Sequence, residues 1–178
     1  MDLGEATVTD TDVATDADLL TWCRRRLRAV LPELPSSLDE LRRRMEEVRG
    51  RRIELTMTDP GRLRLPSGLW GQVRSGAAVH DLVWVDRRTS PFARTVVACH
   101  EFGHMICGHE PDPVPAATPE PVGALAADLA LDPAHLAAIV GRCGELCAPG
   151  SPEWRREREA ELTGRLLAQH ILGSHGPA

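Results

Sequence analysis

His100-Glu101-Phe102-Gly103-His104 is the stretch whose residue types and spacing could do chemistry. Residues four apart on an α-helix lie one above the other on one face. On a helix the two imidazoles therefore point the same way, at a spread that suits a single Zn²⁺ at roughly 2.0–2.1 Å from each nitrogen. Glu101 sits about 100° round from His100. From there it can reach a water in the ion's remaining position without being a ligand itself. Two ligands and a general base in one short run is the H-E-x-x-H arrangement of metal-assisted hydrolysis. The same two imidazoles buried beside a carboxylate with no cation would carry a desolvation cost.

Such an ion needs a third donor from elsewhere in the chain. His109 is the nearest, but a third His ten residues after the first would fall on Glu110. His109 reads instead as a residue at the helix C-terminus, facing the dipole or the last carbonyls. The run Arg156-Glu157-Arg158-Glu159-Ala160-Glu161 offers more. Glu157 and Glu161 are four apart on one face, and Glu159 points away from them. Ala160 and Gly164 share the stripe of Glu157, and small side chains there let a helix approach another backbone closely. Glu157 could then bind the ion while Glu161 accepts the N–H of a ligating His and fixes its tautomer. Spacing alone leaves open a solvated Arg/Glu helix laced with ion pairs, and the long insertion between His104 and Glu157 leaves Glu145 and Asp128 as competing donors.

The elements that must position these groups are readable in outline. Ser90-Pro91 supplies an N-cap and a first-turn Pro. Phe92, Val96, Val97, Cys99, Phe102 and Ile106 give the helix that follows its apolar cover. Before it, Asp18 to Leu31 reads as a helix, and Ser37-Leu38-Asp39-Glu40 caps a second that ends at Gly50. Alternation predicts strands at Arg52 to Met57, Leu69 to Val73 and Val79 to Asp86. One of these strands is a candidate to hold an extended substrate by strand addition. Five Pro between Glu110 and Pro121 mark a loop. Residues 122–131 and 133–147 read as Ala- and Leu-rich helices, and Ser151-Pro152 opens a long helix to about Leu172.

Composition narrows the function classes. The chain has 178 residues and a net charge of −5, enough for one domain with a real core. No run approaches 18 apolar residues, so no membrane span is expected. No signal peptide is read at the N-terminus. Residues 1–17 are expected to be a disordered acidic tail, 18–172 a single domain, and 173–178 a flexible tail. All 21 basic residues are Arg. The runs Arg24-Arg25-Arg26 and Arg42-Arg43-Arg44 are interleaved with Leu at helical spacing, so they read as solvated helix faces rather than nucleic-acid contacts. Cys23, Cys99, Cys107, Cys143 and Cys147 fit no zinc ribbon, and the expected setting is cytoplasmic with reduced thiols.

His100 to His104, then Cys107-Gly108-His109, then Glu157-x-Glu159-Ala160-Glu161 with Leu166-Leu167 beyond, together resemble the ImmA/IrrE family of metallopeptidases. The pattern is most similar to short actinobacterial members that lack a fused helix-turn-helix. Gly68-Leu69-Trp70-Gly71 and its strands also look like that family's small sheet, and the likeness spans roughly residues 35–172. It implies an α+β, zincin-like fold: N-terminal helices, a small and mostly antiparallel sheet, the H-E-x-x-H helix and a helical C-terminal part. It implies Zn²⁺ held by His100, His104 and a Glu, with Glu101 as base. By analogy with zinc peptidases carrying Glu-x-x-x-Asp, the ligand is Glu157 and its support Glu161, where the family more often has Asn or Asp. The implied activity is site-specific cleavage of a protein, often a helix-turn-helix repressor encoded nearby. The contrasting class is a catalytically weak zinc-binding regulatory or toxin–antitoxin module that acts by protein–protein binding. The chain has no Tyr to steady an oxyanion. That role would fall to His80, His109, His170, an Arg or a backbone N–H.

Overall fold

A computed structural model describes residues 15–59, 67–75, 78–110 and 151–174. The elements are α1 (Asp16–Val30), α2 (Leu38–Arg49), β1 (Ile53–Thr58), β2 (Gly68–Ser75), β3 (Ala78–Asp86), α3 (Pro91–Cys107) and α4 (Pro152–Gly173). The architecture is α+β, with four helices and one three-stranded sheet among the described residues. The loop rich in Pro and the expected helices at 122–131 and 133–147 lie outside them, and so do Asp128, Cys143, Glu145 and Cys147.

β3 is the central strand of the order β1-β3-β2. β2 pairs with it antiparallel, from Gly68↔Val85 to Ser75↔Ala78, as a hairpin does. β1 takes the other edge and runs parallel, from Ile53↔Asp81 to Thr58↔Asp86. The sheet is therefore mixed, not mostly antiparallel. The reason lies in the chain path: β1 does not pair with the strand that follows it but with the next one, and β2 is antiparallel to both.

The helix bounds also depart from the expected tails. Thr15 caps α1 in a reciprocal box with Asp18, so the helix begins inside the stretch read as a tail. Asp16 then pairs with Arg158 of α4 at 2.8 Å. At the other end α4 continues through Gly173, and the Ser174 hydroxyl donates to the His170 carbonyl at 2.7 Å.

Ile53, Trp70, Val83 and Val85 of the sheet meet Leu27, Leu41, Met45, Phe102, Ile106, Leu167 and Ile171 of the helices in one core. A smaller cluster of Leu19, Cys23 and Leu162 seats α1 on α4. Asp81 on β3 is fully buried and accepts from Arg49 Nε at 2.7 Å and from the Trp70 indole at 3.1 Å. That carboxylate ties α2 and β2 to the middle strand. Arg42 and Arg44 form i,i+4 pairs with Glu46 and Glu40, as expected of a solvated helix face. Cys23, Cys99 and Cys107 are free thiols. Among the described residues no helix is long and apolar enough to cross a membrane.

Candidate metal centre

Two N-caps of the same chemistry start the two helices that build the site. The Ser90 hydroxyl accepts from the Ala93 N–H at 3.2 Å, with Pro91 in the first turn of α3. The Ser151 hydroxyl accepts from the Trp154 N–H at 3.1 Å, with Pro152 in the first turn of α4. The helices then pack antiparallel at very short range. A Cβ on Gly103 would stand 2.5 Å from the Ala160 carbonyl oxygen. One on Gly164 would stand 2.7 Å from His100 Cα and 2.8 Å from the Cys99 carbonyl oxygen. Main chain meets main chain at both points. Glu157, two turns before Gly164, is thereby carried over the face that holds His100 and His104.

Adding one methyl at this seam should be costly, because backbone cannot swing aside as a flexible side chain can. Gly164→Ala is expected to destabilise the fold by about 1–3 kcal/mol in urea denaturation and to weaken metal uptake at the same time. Unchanged stability and unchanged uptake would mean that the close approach does not set the site.

Donor atoms of three residues converge. His100 Nε2 lies 3.1 Å from His104 Nε2. Glu157 places Oε2 at 3.5 Å from His100 Nε2 and Oε1 at 3.5 Å from His104 Nε2. A tetrahedral ion with bonds of 2.0–2.1 Å has donor–donor edges of about 3.3–3.4 Å, so these edges straddle the value an ion would impose. His100, His104 and Glu157 could hold a metal ion. Their side chains are 31 %, 13 % and 55 % exposed, so the centre is open on the Glu157 side.

The electrostatics agree with a cation at the centre. The neighbouring His100 and His104 imidazoles hold the Glu157 carboxyl well below the usual carboxylate range. Burial alone would lower His100, but the Glu157 hydrogen bond and the charges of Glu101, Glu157 and Glu161 outweigh it and raise the imidazole. Burial, reinforced by His100, lowers His104.

Glu101 is 8 % exposed, and its burial pushes the carboxyl up to about 7 despite His100 and a hydrogen bond from the Trp70 backbone. Gly68 makes room for it: a Cβ there would stand 2.2 Å from Val97 Cγ1 and 3.1 Å from Glu101 Oε1. The start of β2 thus lies directly against the Glu101 face of α3.

Glu161 is not where the support role would put it. Its carboxylate accepts from Arg158 at 2.7 Å and Arg165 at 2.8 Å on an exposed face. It lies about 100° round α4 from Ala160, outside the seam, and among the described residues it is not hydrogen-bonded to the imidazole of His100 or His104. The group that does reach one is His109. Its Nδ1 lies 2.9 Å from His104 Nδ1, and its Nε2 lies 3.1 Å from Glu159 Oε2. Gly108 makes this possible by turning the chain at φ +81° at the end of α3, which swings His109 back beside His104. The main-chain N–H of His109 does bond a helix-end carbonyl, that of His104 at 3.0 Å, while its ring faces inward. Glu159 points away from Glu157, as helical spacing requires, yet it meets the far side of the same site.

The other donors considered for an oxyanion are differently placed. His109 sits behind His104. His170 lies thirteen residues beyond Glu157 on α4, about 20 Å along the helix. His80 pairs with Val73, five residues back along β3 from the Val85 that faces Gly68. Arg94, two turns before Glu101 on the same face of α3, keeps its buried Nε without a hydrogen-bond partner among the described residues. No family model, no curated protein and no solved structure matches the chain.

Proposed function

We propose that the chain is a zinc-dependent endopeptidase of zincin-like fold, in the manner of the ImmA/IrrE proteins it resembles. The observation that carries the reading is the convergence of His100 Nε2 and His104 Nε2, 3.1 Å apart, with the Glu157 carboxylate, a different oxygen of which lies 3.5 Å from each, beside the buried Glu101. Two nitrogens and one carboxylate oxygen are the donor set of many catalytic zinc sites. When bound, zinc would supply Lewis acidity to an attacking water and to a scissile carbonyl. Glu101 takes the proton from that water and passes it to the leaving amine nitrogen. β2 has no strand partner but β3 among the described residues, and its outer edge is suited to hold the substrate extended beside α3. Arg94 offers a cation two turns from Glu101 for a carbonyl or carboxylate of that segment.

The substrate class follows from the resemblance: a helix-turn-helix regulator encoded beside the gene. Incubating the zinc-loaded protein with that neighbour's product should give one discrete cut, seen as two fragments by mass spectrometry. EDTA should abolish the cut and added zinc should restore it. A stable complex without cleavage, indifferent to chelator, would replace this reading with that of a binding module.

A further inference from the structure

We propose that His109 and Glu159 are positioning residues that hold His104 in its metal-binding tautomer. Such a relay matters to the ion only if His100, His104 and Glu157 bind one as proposed above. Its direction follows from donor counting. Glu159 accepts from Arg155 Nε through Oε1 at 2.9 Å and faces His109 Nε2 with Oε2 at 3.1 Å. An ionised carboxylate can only accept, so His109 Nε2 must carry the proton. A neutral imidazole has one N–H, so His109 Nδ1 is then bare. His104 Nδ1 stands 2.9 Å from it, and two bare nitrogens at that distance would repel. His104 Nδ1 therefore donates. This leaves the lone pair of His104 on Nε2, which faces His100 and Glu157.

Donation thus converges on Glu159, from Arg155 on one side and from His104 through His109 on the other, and the ring of His104 is left with its bare Nε2 toward His100 and Glu157. The relay is well enclosed: the side chains of His109 and Glu159 are only 8 % and 10 % exposed. Three parts of the chain are needed. α3 brings His104, the left-handed Gly108 turns His109 back, and α4 presents Glu159 on the flank opposite Glu157.

A competing use of the same atoms is a second ion held by Cys107, His109 and Glu159, whose donors all lie within 4.8 Å of one another. Protein partners already satisfy that trio. Cys107 Sγ lies 3.3 Å from the Thr163 hydroxyl, and Glu159 has Arg155 and His109.

The test has two readouts on the full chain. Proton–nitrogen correlation spectra of the imidazoles in the metal-free wild type should show His104 protonated on Nδ1, a state lost in His109→Ala. Zinc affinity, measured by competition with a chromophoric chelator, should fall about 10–100-fold in His109→Ala and in Glu159→Ala. Glu159→Gln, which keeps an accepting oxygen, should recover much of that loss. His104 protonated on Nε2 in the wild type would overturn the relay, as would unchanged affinity in His109→Ala. Two zinc ions per chain, one of them lost in Cys107→Ala, would overturn it in favour of the second site. A wild type that takes up no zinc would sink the metal-centre reading, while the spectra would still decide the tautomer.

Discussion

Glu101→Gln is expected to leave zinc bound and to cut the rate of peptide cleavage by about 10²–10⁴-fold, the usual contribution of a positioned general base. The metal should stay because Glu101 is not one of the three converging donors. The amide is nearly the same shape, so the pocket made by Gly68 and the Trp70 backbone should accept it. What disappears is the buried carboxylate of α3 that stands beside the converging donors without being one of them, free to take a proton and return it. Zinc content by elemental analysis and fragment yield over time check both halves. Metal retained with cleavage undiminished would end the assignment of Glu101 as base.

Glu157→Ala is expected to do the reverse and empty the site. Zinc bound to protein sites is worth about 10–16 kcal/mol over four ligands. Loss of one protein ligand should then cost about 3 kcal/mol or more, a fall in affinity of at least about 100-fold. The fold should survive, because the Glu157 side chain is 55 % exposed and belongs to no core cluster. Competition titration gives the affinity and circular dichroism the fold. Glu159→Ala serves as the contrast: it acts on His104 only through His109, so it should weaken binding less. If it empties the site while Glu157→Ala does not, the two faces of α4 have been assigned the wrong way round.

The parts of this centre that depend on one helix were legible in the residues. His100, Glu101 and His104 needed only the helical repeat. Ser90-Pro91 and Ser151-Pro152 marked where both helices begin. Glu157 stood out because Ala160 and Gly164 share its stripe, and those small residues do sit where backbone meets backbone. The support for His104 was not legible. It depends on a positive φ at Gly108, which returns His109 to the helix it has just left, and on the angle at which α4 docks. Glu161 matched the spacing of Glu157 but fell on the solvent side of that angle, where Arg158 and Arg165 hold it. The strands were visible from alternation, whereas the parallel pairing of β1 with β3 was not, since alternation says nothing of which neighbour a strand chooses.

The Gly103 and Gly164 seam has a consequence for which ions the proposed centre would accept. Contact between two main chains is nearly incompressible, so the gap spanned by the three donors behaves as a fixed gauge rather than an adjustable claw. A gauge with edges of 3.1 and 3.5 Å, built from two nitrogens and one carboxylate, would discriminate by radius and by softness together. Calcium, which seeks six to eight oxygens at 2.3–2.6 Å, is too large and too hard for it, and magnesium finds too few oxygens. Among the smaller transition ions the gauge scarcely discriminates, and occupancy would follow their intrinsic affinities and supply.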